Sequence, residues 1–382
     1  MSVEELHRDA ARTDGLIRFA GGLPALELIP TVELADGFTR ALGDPDASWQ
    51  YGWPEGHIAL RTWIAAGLRA RGESVTADDV IVTAGAQQAL ALATTELCAR
   101  GARIVVGETS YAAALDLFRL SGAVPVERGE CELSYVMAGV RNPAGEDGAP
   151  AVAQALAGGK PVIVDEAYAS LRFDGRAPAR VLDRARERVW LVGTVSKILC
   201  PGLRIGWLVP PRLHVAPVLA RKAVTDLQTG SLAQAVLAHA LERLDLDAHI
   251  ARVRTAYRIR AERMCEALAH YAPSWHFRAP EGGFGVYVTT PESGDEDALL
   301  GAAIDKGVSF DPGHLMRVAP RPGPSDDEPM RFRLCYSSTR DAEIDEGVRR
   351  LVSAWGEHLR AADRDRSAKT APGWCRPETR TG

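Results

Sequence analysis

Val189-Trp190-Leu191-Val192-Gly193-Thr194-Val195-Ser196-Lys197-Ile198-Leu199-Cys200-Pro201-Gly202-Leu203-Arg204 is the stretch that decides how this chain reads. It opens on an apolar run of strand type. Lys197 follows the small hydroxyl residues Thr194 and Ser196 just past that run, and a second cation, Arg204, comes shortly after. A lysine held away from bulk water gives up its proton and attacks a carbonyl carbon, forming a Schiff base. Hydroxyls and a guanidinium are what a phosphate monoester needs. An aldehyde and a phosphate on one small molecule describe pyridoxal phosphate (PLP). An ordinary loop lysine would explain Lys197 taken alone, so the rest of the chain must decide.

The 382 residues are enough for one large unit and a smaller one. Apolar residues make up 46%, and the formal charge of -5 gives no basic footprint for nucleic acid. No apolar run approaches the ~18–20 residues of a membrane span. The N-terminus, Met1-Ser2-Val3-Glu4-Glu5, lacks a signal-peptide pattern. These features predict a cytoplasmic protein with neither membrane nor nucleic acid as partner. The cysteines are scattered without a C-x-x-C pair, which argues against a metal site and against a disulfide framework.

Short β runs alternate with helical patterns through the middle of the chain. Asp79–Thr83, Arg103–Val106, Pro161–Asp165 and Val189–Val192 read as strands, the last two of the kind covered on both faces. The fold class expected is α/β, a large domain with a mostly parallel central sheet plus a smaller α+β domain. The expected division is an N-terminal segment over 1–45 packing with the small domain, a large domain over 46–274, a small domain over 275–362 and a disordered tail over 363–382. Ligands in such sheets bind at the carboxyl ends of strands. Gly85, Asp165 and Lys197 all fall just past strand ends.

Gly85 and Ala86 form a tight strand-to-helix turn whose N–H groups, with the helix start, suit an anion. Asp165 ends an apolar strand and precedes Glu166-Ala167-Tyr168. A buried carboxylate needs a cationic partner, and a protonated pyridine nitrogen is one; a helix N-cap is the other reading of Asp165. Tyr168 can hydrogen-bond the ring's phenolic oxygen. Asn142, in Asn142-Pro143-Ala144-Gly145, either caps the local backbone or reaches the same oxygen. Tyr111 can stack on a flat ring or fill a core. Arg333 interrupts an apolar strand, where its planar fork suits a carboxylate or a structural ion pair.

These residues, in this order, carry a resemblance. Gly193–Lys197 with Arg204-Ile205-Gly206-Trp207 looks like the lysine motif of fold-type I PLP-dependent aminotransferases, class I/II. Phe19-Ala20-Gly21-Gly22-Leu23-Pro24 resembles the opening of the subgroup of 2-aminoadipate and kynurenine aminotransferases and MocR-type regulators. The similarity runs over roughly 15–355. It implies that Lys197 carries the cofactor and moves the substrate proton, that Asp165 partners the pyridine nitrogen, and that Tyr168 and Asn142 bind the phenolic oxygen. Gly85, Ala86, Gln87, Thr194, Ser196 and Arg204 resemble the phosphate cup, and Tyr111 the stacking aromatic. Tyr51 resembles the tyrosine that reaches the phosphate of the other subunit, which implies a homodimer with shared sites. Arg333 and Gly22 resemble the substrate side, with Arg333 on the α-carboxylate. With about 20 residues before the Gly-Gly-Leu-Pro segment, the expectation is a chain without the regulators' DNA-binding domain.

The intervals from Tyr111 to Asn142 and from Asn142 to Asp165 are shorter than the family's. Gly285 stands where a bulky residue is usual and Tyr287 where Trp is common, which suggests a pocket opened toward larger substrates. The leading expectation is an aminotransferase of biosynthetic metabolism acting on an α-amino acid. Elimination, replacement, cyclisation or C–C bond formation on the same scaffold, with S-adenosylmethionine among the substrates, is the alternative. A PLP-binding sensor without turnover is a third.

Overall fold

The computed structural model describes residues 15–45, 49–318 and 328–370. Strand β1 (Ile17–Phe19) and helices α1 (Thr31–Leu42) and α2 (Ile58–Ala70) come before the main sheet. That sheet contains β2 (Ile81–Thr83), β3 (Arg103–Val105), β4 (Val124–Val126), β5 (Leu133–Met137), β6 (Val162–Asp165), β7 (Val189–Thr194) and β8 (Gly206–Val209). Its spatial order is β2-β8-β7-β6-β5-β3-β4. β3 to β7 pair in parallel, whereas β8 runs antiparallel to β7 and β2. Every residue of β6 and β7 is buried, as the unbroken apolar runs require of strands covered on both faces.

Helices α3 (Ala86–Leu97), α4 (Ala112–Leu120) and α5 (Ala149–Ala157) follow β2, β3 and β5. The shortened interval has a visible consequence. Parallel strands are joined by crossovers of about a dozen residues or more, usually helical. Residues 127–132 alone join β4 to β5, across the intervening β3. A helix does not fit in that length. A groove of about 510 Å³ is left open beside Val105, Ser134, Val136 and Ala155.

The chain continues through α6 (Val215–Thr225), α7 (Ser231–Leu241) and the long α8 (Leu246–Tyr271) into a second sheet. This one holds β9 (His276–Phe277), β10 (Gly285–Ser293), β11 (Val308–Pro312) and β12 (Pro329–Cys335), in the order β1-β11-β12-β10-β9. The N-terminal strand thus joins the smaller sheet, parallel to β11. Helices α9 (Glu296–Asp305) and α10 (Asp341–Thr370) cover it. Phe19, Val286, Phe310 and Phe332 share one core with Leu351 of α10 and with Tyr257 and Met264 of α8. From Val253 onward α8, expected in the large domain, therefore packs with the smaller sheet. The last helix runs to Thr370, beyond the expected start of a disordered tail at 363; residues 371–382 of that tail lie outside the described residues.

Candidate active site

A cavity of about 250 Å³ opens at the carboxyl ends of β5, β6 and β7, where Met137, Asp165 and Thr194 line it. Ala86, Gln87, Tyr111, Asn142, Tyr168, Ser196, Lys197 and Arg204 line it as well. Parallel strands bring these side chains together because their ends stack at one edge of the sheet.

One end of the cavity suits an anion. Gly85 caps α3 with φ +80°, and a Cβ there would lie 2.6 Å from Arg204 Nη2. Glycine is the residue that allows both that backbone conformation and the guanidinium's approach. A Cβ on Gly206 would meet Ala86 N at 2.7 Å, so it too must be bare. Arg204 Nη2 donates to Ala84 O at 3.1 Å. Ser196 Oγ sits 2.9 Å from Thr194 Oγ1, which also accepts from Ser196 N at 3.1 Å and lies 2.8 Å from Ile205 O. Thr194 has a single hydroxyl proton, and both contacts are inside the protein. Gln87 Nε2 donates to Ala113 O at 3.1 Å, so its side chain ties α3 to α4, while its backbone N–H belongs to the first turn of α3, whose N–H groups have no partner within the helix.

The opposite end holds a buried acid. Asp165 is 4% exposed; Ala167 N donates to its Oδ1 and Tyr135 Oη to its Oδ2, both at 2.8 Å. Burial pushes its carboxyl up, against those two hydrogen bonds and the attraction of Lys197. The acid's direct partners are thus neutral donors. Between the two ends, Lys197 Nζ donates to Gly22 O at 3.2 Å and lies 5.5 Å from the Tyr168 ring and 5.4 Å from the Phe284 ring. Burial, then the charge of Arg333, lowers the Lys197 ammonium to about 8. Burial also raises the Tyr111 and Tyr168 hydroxyls, which keeps both as donors.

The donor set fits PLP. A glycine-lined helix start with Ser196 and Arg204 suits a phosphate, and a readily deprotonated lysine suits an aldehyde. The carboxylate raised by burial is relieved by a cationic ring nitrogen.

Arg333 sits to one side. It lines a recess of about 10 Å³ with Asn142, Tyr168 and Gly285, barely the room of one water. Its Nε and Nη2 donate to Asp311 Oδ2 at 2.9 and 2.7 Å, and Nη1 donates to Asn142 Oδ1 at 2.5 Å. Gly22, at φ +54°, lies between: a Cβ there would be 3.6 Å from Tyr168 Oη and 3.7 Å from Arg333 Nη2. Gly285 does not open the cavity. A Cβ on it would meet Leu334 O at 2.9 Å and Arg333 Cγ at 3.1 Å, so the glycine makes room for the Arg333 stem. Tyr51 is 76% exposed and absent from the cavity lining of its own chain. Cys200 does not line the cavity either, although Pro201 does.

Two residues that touch this machinery are not among the site candidates of the sequence. Tyr135 lies in register with Ile163 of β6 and reaches Asp165 from the neighbouring strand; no local signal marks it. Asp311 had a signal, since it ends the apolar run Val308-Ser309-Phe310, the pattern that singled out Asp165.

The family "Aminotransferase class I and II" matches residues 33–351. The chain is 31% identical to the 2-aminoadipate transaminase of Thermus thermophilus, over 89% of this chain and 90% of that protein. It is 30% identical to aromatic-amino-acid aminotransferase 1 of Thermococcus litoralis, over 91% and 90%. Among solved structures, the α-aminoadipate aminotransferase of Thermus thermophilus, complexed with N-(5'-phosphopyridoxyl)-L-leucine, superposes with a TM-score of 0.82 at 29% identity, over 93% of this chain and 95% of that one.

Proposed function

The chain belongs to the class I and II aminotransferases, and on that premise we propose that it is a PLP-dependent enzyme transferring the amino group of an α-amino acid, with Lys197 carrying the cofactor. The observation that bears most weight is Lys197 itself. Its amine, lowered to about 8, shares one cavity with a helix start suited to an anion and with a buried acid.

Bound there, PLP supplies an aldehyde for the amino group and a ring that takes up negative charge from the substrate Cα. The start of α3, Ser196 and Arg204 hold the phosphate, and Thr194 fixes Ser196. Asp165 keeps a proton on the ring nitrogen. Asn142, whose Oδ1 accepts from Arg333, has its amide N–H groups left to donate, and with Tyr168 it binds the phenolic oxygen. Tyr111 covers the ring. Lys197 Nζ moves the proton at the substrate Cα, and Arg333 faces the α-carboxylate.

The protein acts as a homodimer. Trp49, Tyr51 and Trp53 are 62%, 76% and 75% exposed on one loop, an aromatic patch of the kind that subunit contacts cover. Tyr51 would then enter the partner's site. Cytoplasmic location suits the free thiols of Cys98, Cys131, Cys200, Cys265 and Cys335.

Borohydride reduction followed by peptide mass analysis tests the reading: the PLP mass should appear on the Lys197 peptide, and Lys197→Ala should lose at least about 10⁴-fold in activity. Full activity in that variant would sink it. Mixing a Tyr51→Phe Lys197→Ala double variant with wild type should reduce activity per wild-type chain. A fully active monomer rules the dimer out.

A further inference from the structure

Arg333 already holds a carboxylate. Its side-on edge, Nε and Nη2, is one of the two edges that can grip an acid in a two-point pair. Both nitrogens converge on Asp311 Oδ2, at 2.9 and 2.7 Å. Asp311 is 4% exposed and is held further by Gly21 N, at 3.1 Å from Oδ1 and 3.2 Å from Oδ2. The third contact, Nη1 to Asn142 Oδ1, takes another N–H. Of five guanidinium N–H groups, one on each terminal nitrogen is left. Beside the cavity there is thus an ion pair of zero net charge where a lone arginine would give a full positive one.

Resting on the aminotransferase reading above, we propose that Asp311 is a specificity-determining residue. It neutralises the charge of Arg333 and occupies one of its two carboxylate-binding edges, and thereby admits amino donors whose α-carboxylate is masked or missing, such as amides, esters or simple primary amines. A second acid at Arg333 meets the charge of Asp311 and only the terminal N–H groups. An uncharged group at the same place meets no such opposition. The substrate subsite is therefore poorly selective for a free carboxylate, and the selectivity is set by one side chain.

Binding of two small non-reacting probes of equal size, propanoate and propanamide, decides the matter by ligand-observed NMR on the PLP-loaded protein. The wild type should bind the two within about threefold of each other, and Asp311→Asn should tighten propanoate by about tenfold or more while leaving propanamide unchanged. Asparagine keeps the shape and still accepts from Arg333, so a purely positioning role for Asp311 predicts no gain. The inference is overturned if Asp311→Asn brings no gain for propanoate, or if wild type already favours propanoate by about a hundredfold. Asp311→Ser repeats the comparison if the first variant does not fold. No turnover is needed. A protein that shows the gain but transfers no amino group sinks the aminotransferase reading and leaves this inference standing; an active aminotransferase without the gain does the reverse.

Discussion

The cofactor side of the site and its Arg333 side are two walls assembled by different rules. The cofactor wall comes from consecutive strand ends of one sheet, and each of its motifs is a short run of neighbouring residues: Gly85-Ala86-Gln87, Asp165 to Tyr168, Thr194 to Lys197. The facing wall joins β11 and β12 to an N-terminal turn, and Gly21 is 290 positions from the Asp311 it touches. The first wall is nearly complete within each motif. The second exists only once distant segments meet, and there Arg333, which the sequence leaves open between a substrate carboxylate and a structural ion pair, is paired with Asp311.

The largest effect should come from the first wall. Asp165→Asn should lower kcat by about 10²–10³ with PLP retention little changed, because the phosphate contacts are separate. Steady-state rates and PLP dissociation check this, and a near-native kcat would make Asp165 a helix cap after all.

Reloading of the cofactor-free protein tests Lys197 through pH. The attacking amine must be neutral, and burial brings its pKa from 10.5 to about 8. The rate of PLP uptake should climb about tenfold per pH unit below 8 and level off above it. An ordinary lysine would keep climbing to its usual value. Between those two pH values the native chain holds fewer protons at this site than the unfolded one, so this group's contribution makes the cofactor-free protein more stable as pH rises.

Tyr135→Phe removes one of the two hydrogen bonds to the Asp165 carboxylate. A bond to a charged group is worth about 1.5–3 kcal/mol, and its loss raises the acid's pKa further. A fall of about tenfold in kcat near neutral pH, recovered at higher pH, is the expected profile. A pH-independent fall would indicate a packing defect.

The second wall predicts smaller numbers. A free fork losing its two-point grip would cost Arg333→Lys tenfold to more than a hundredfold in kcat/KM, roughly. A fork already held by Asp311 predicts about threefold to tenfold. Values at the high end would restore Arg333 as an unshared carboxylate ligand and erase the contrast between the walls. Gly285→Ala should cost about 1–3 kcal/mol of stability by pressing on Leu334 O and the Arg333 stem. An unchanged Tm would revive the idea that this glycine only opens space.

By itself the sequence determined the α/β class, the mostly parallel sheet, the cofactor and the strand-end residues that share one cavity, because strand periodicity and strand-end motifs are local and the chemistry of lysine, acid and helix start is carried within a few residues. It also showed that the stretch after Tyr111 is short. Only the tertiary structure decided that the short stretch leaves the sheet bare beside β5, that Tyr135 supports Asp165 from the next strand, and that Asp311 takes the edge of Arg333. Those outcomes depend on which strands become neighbours and in what register. A side chain's partner there is chosen by contacts between residues far apart in the chain, so no local pattern records it.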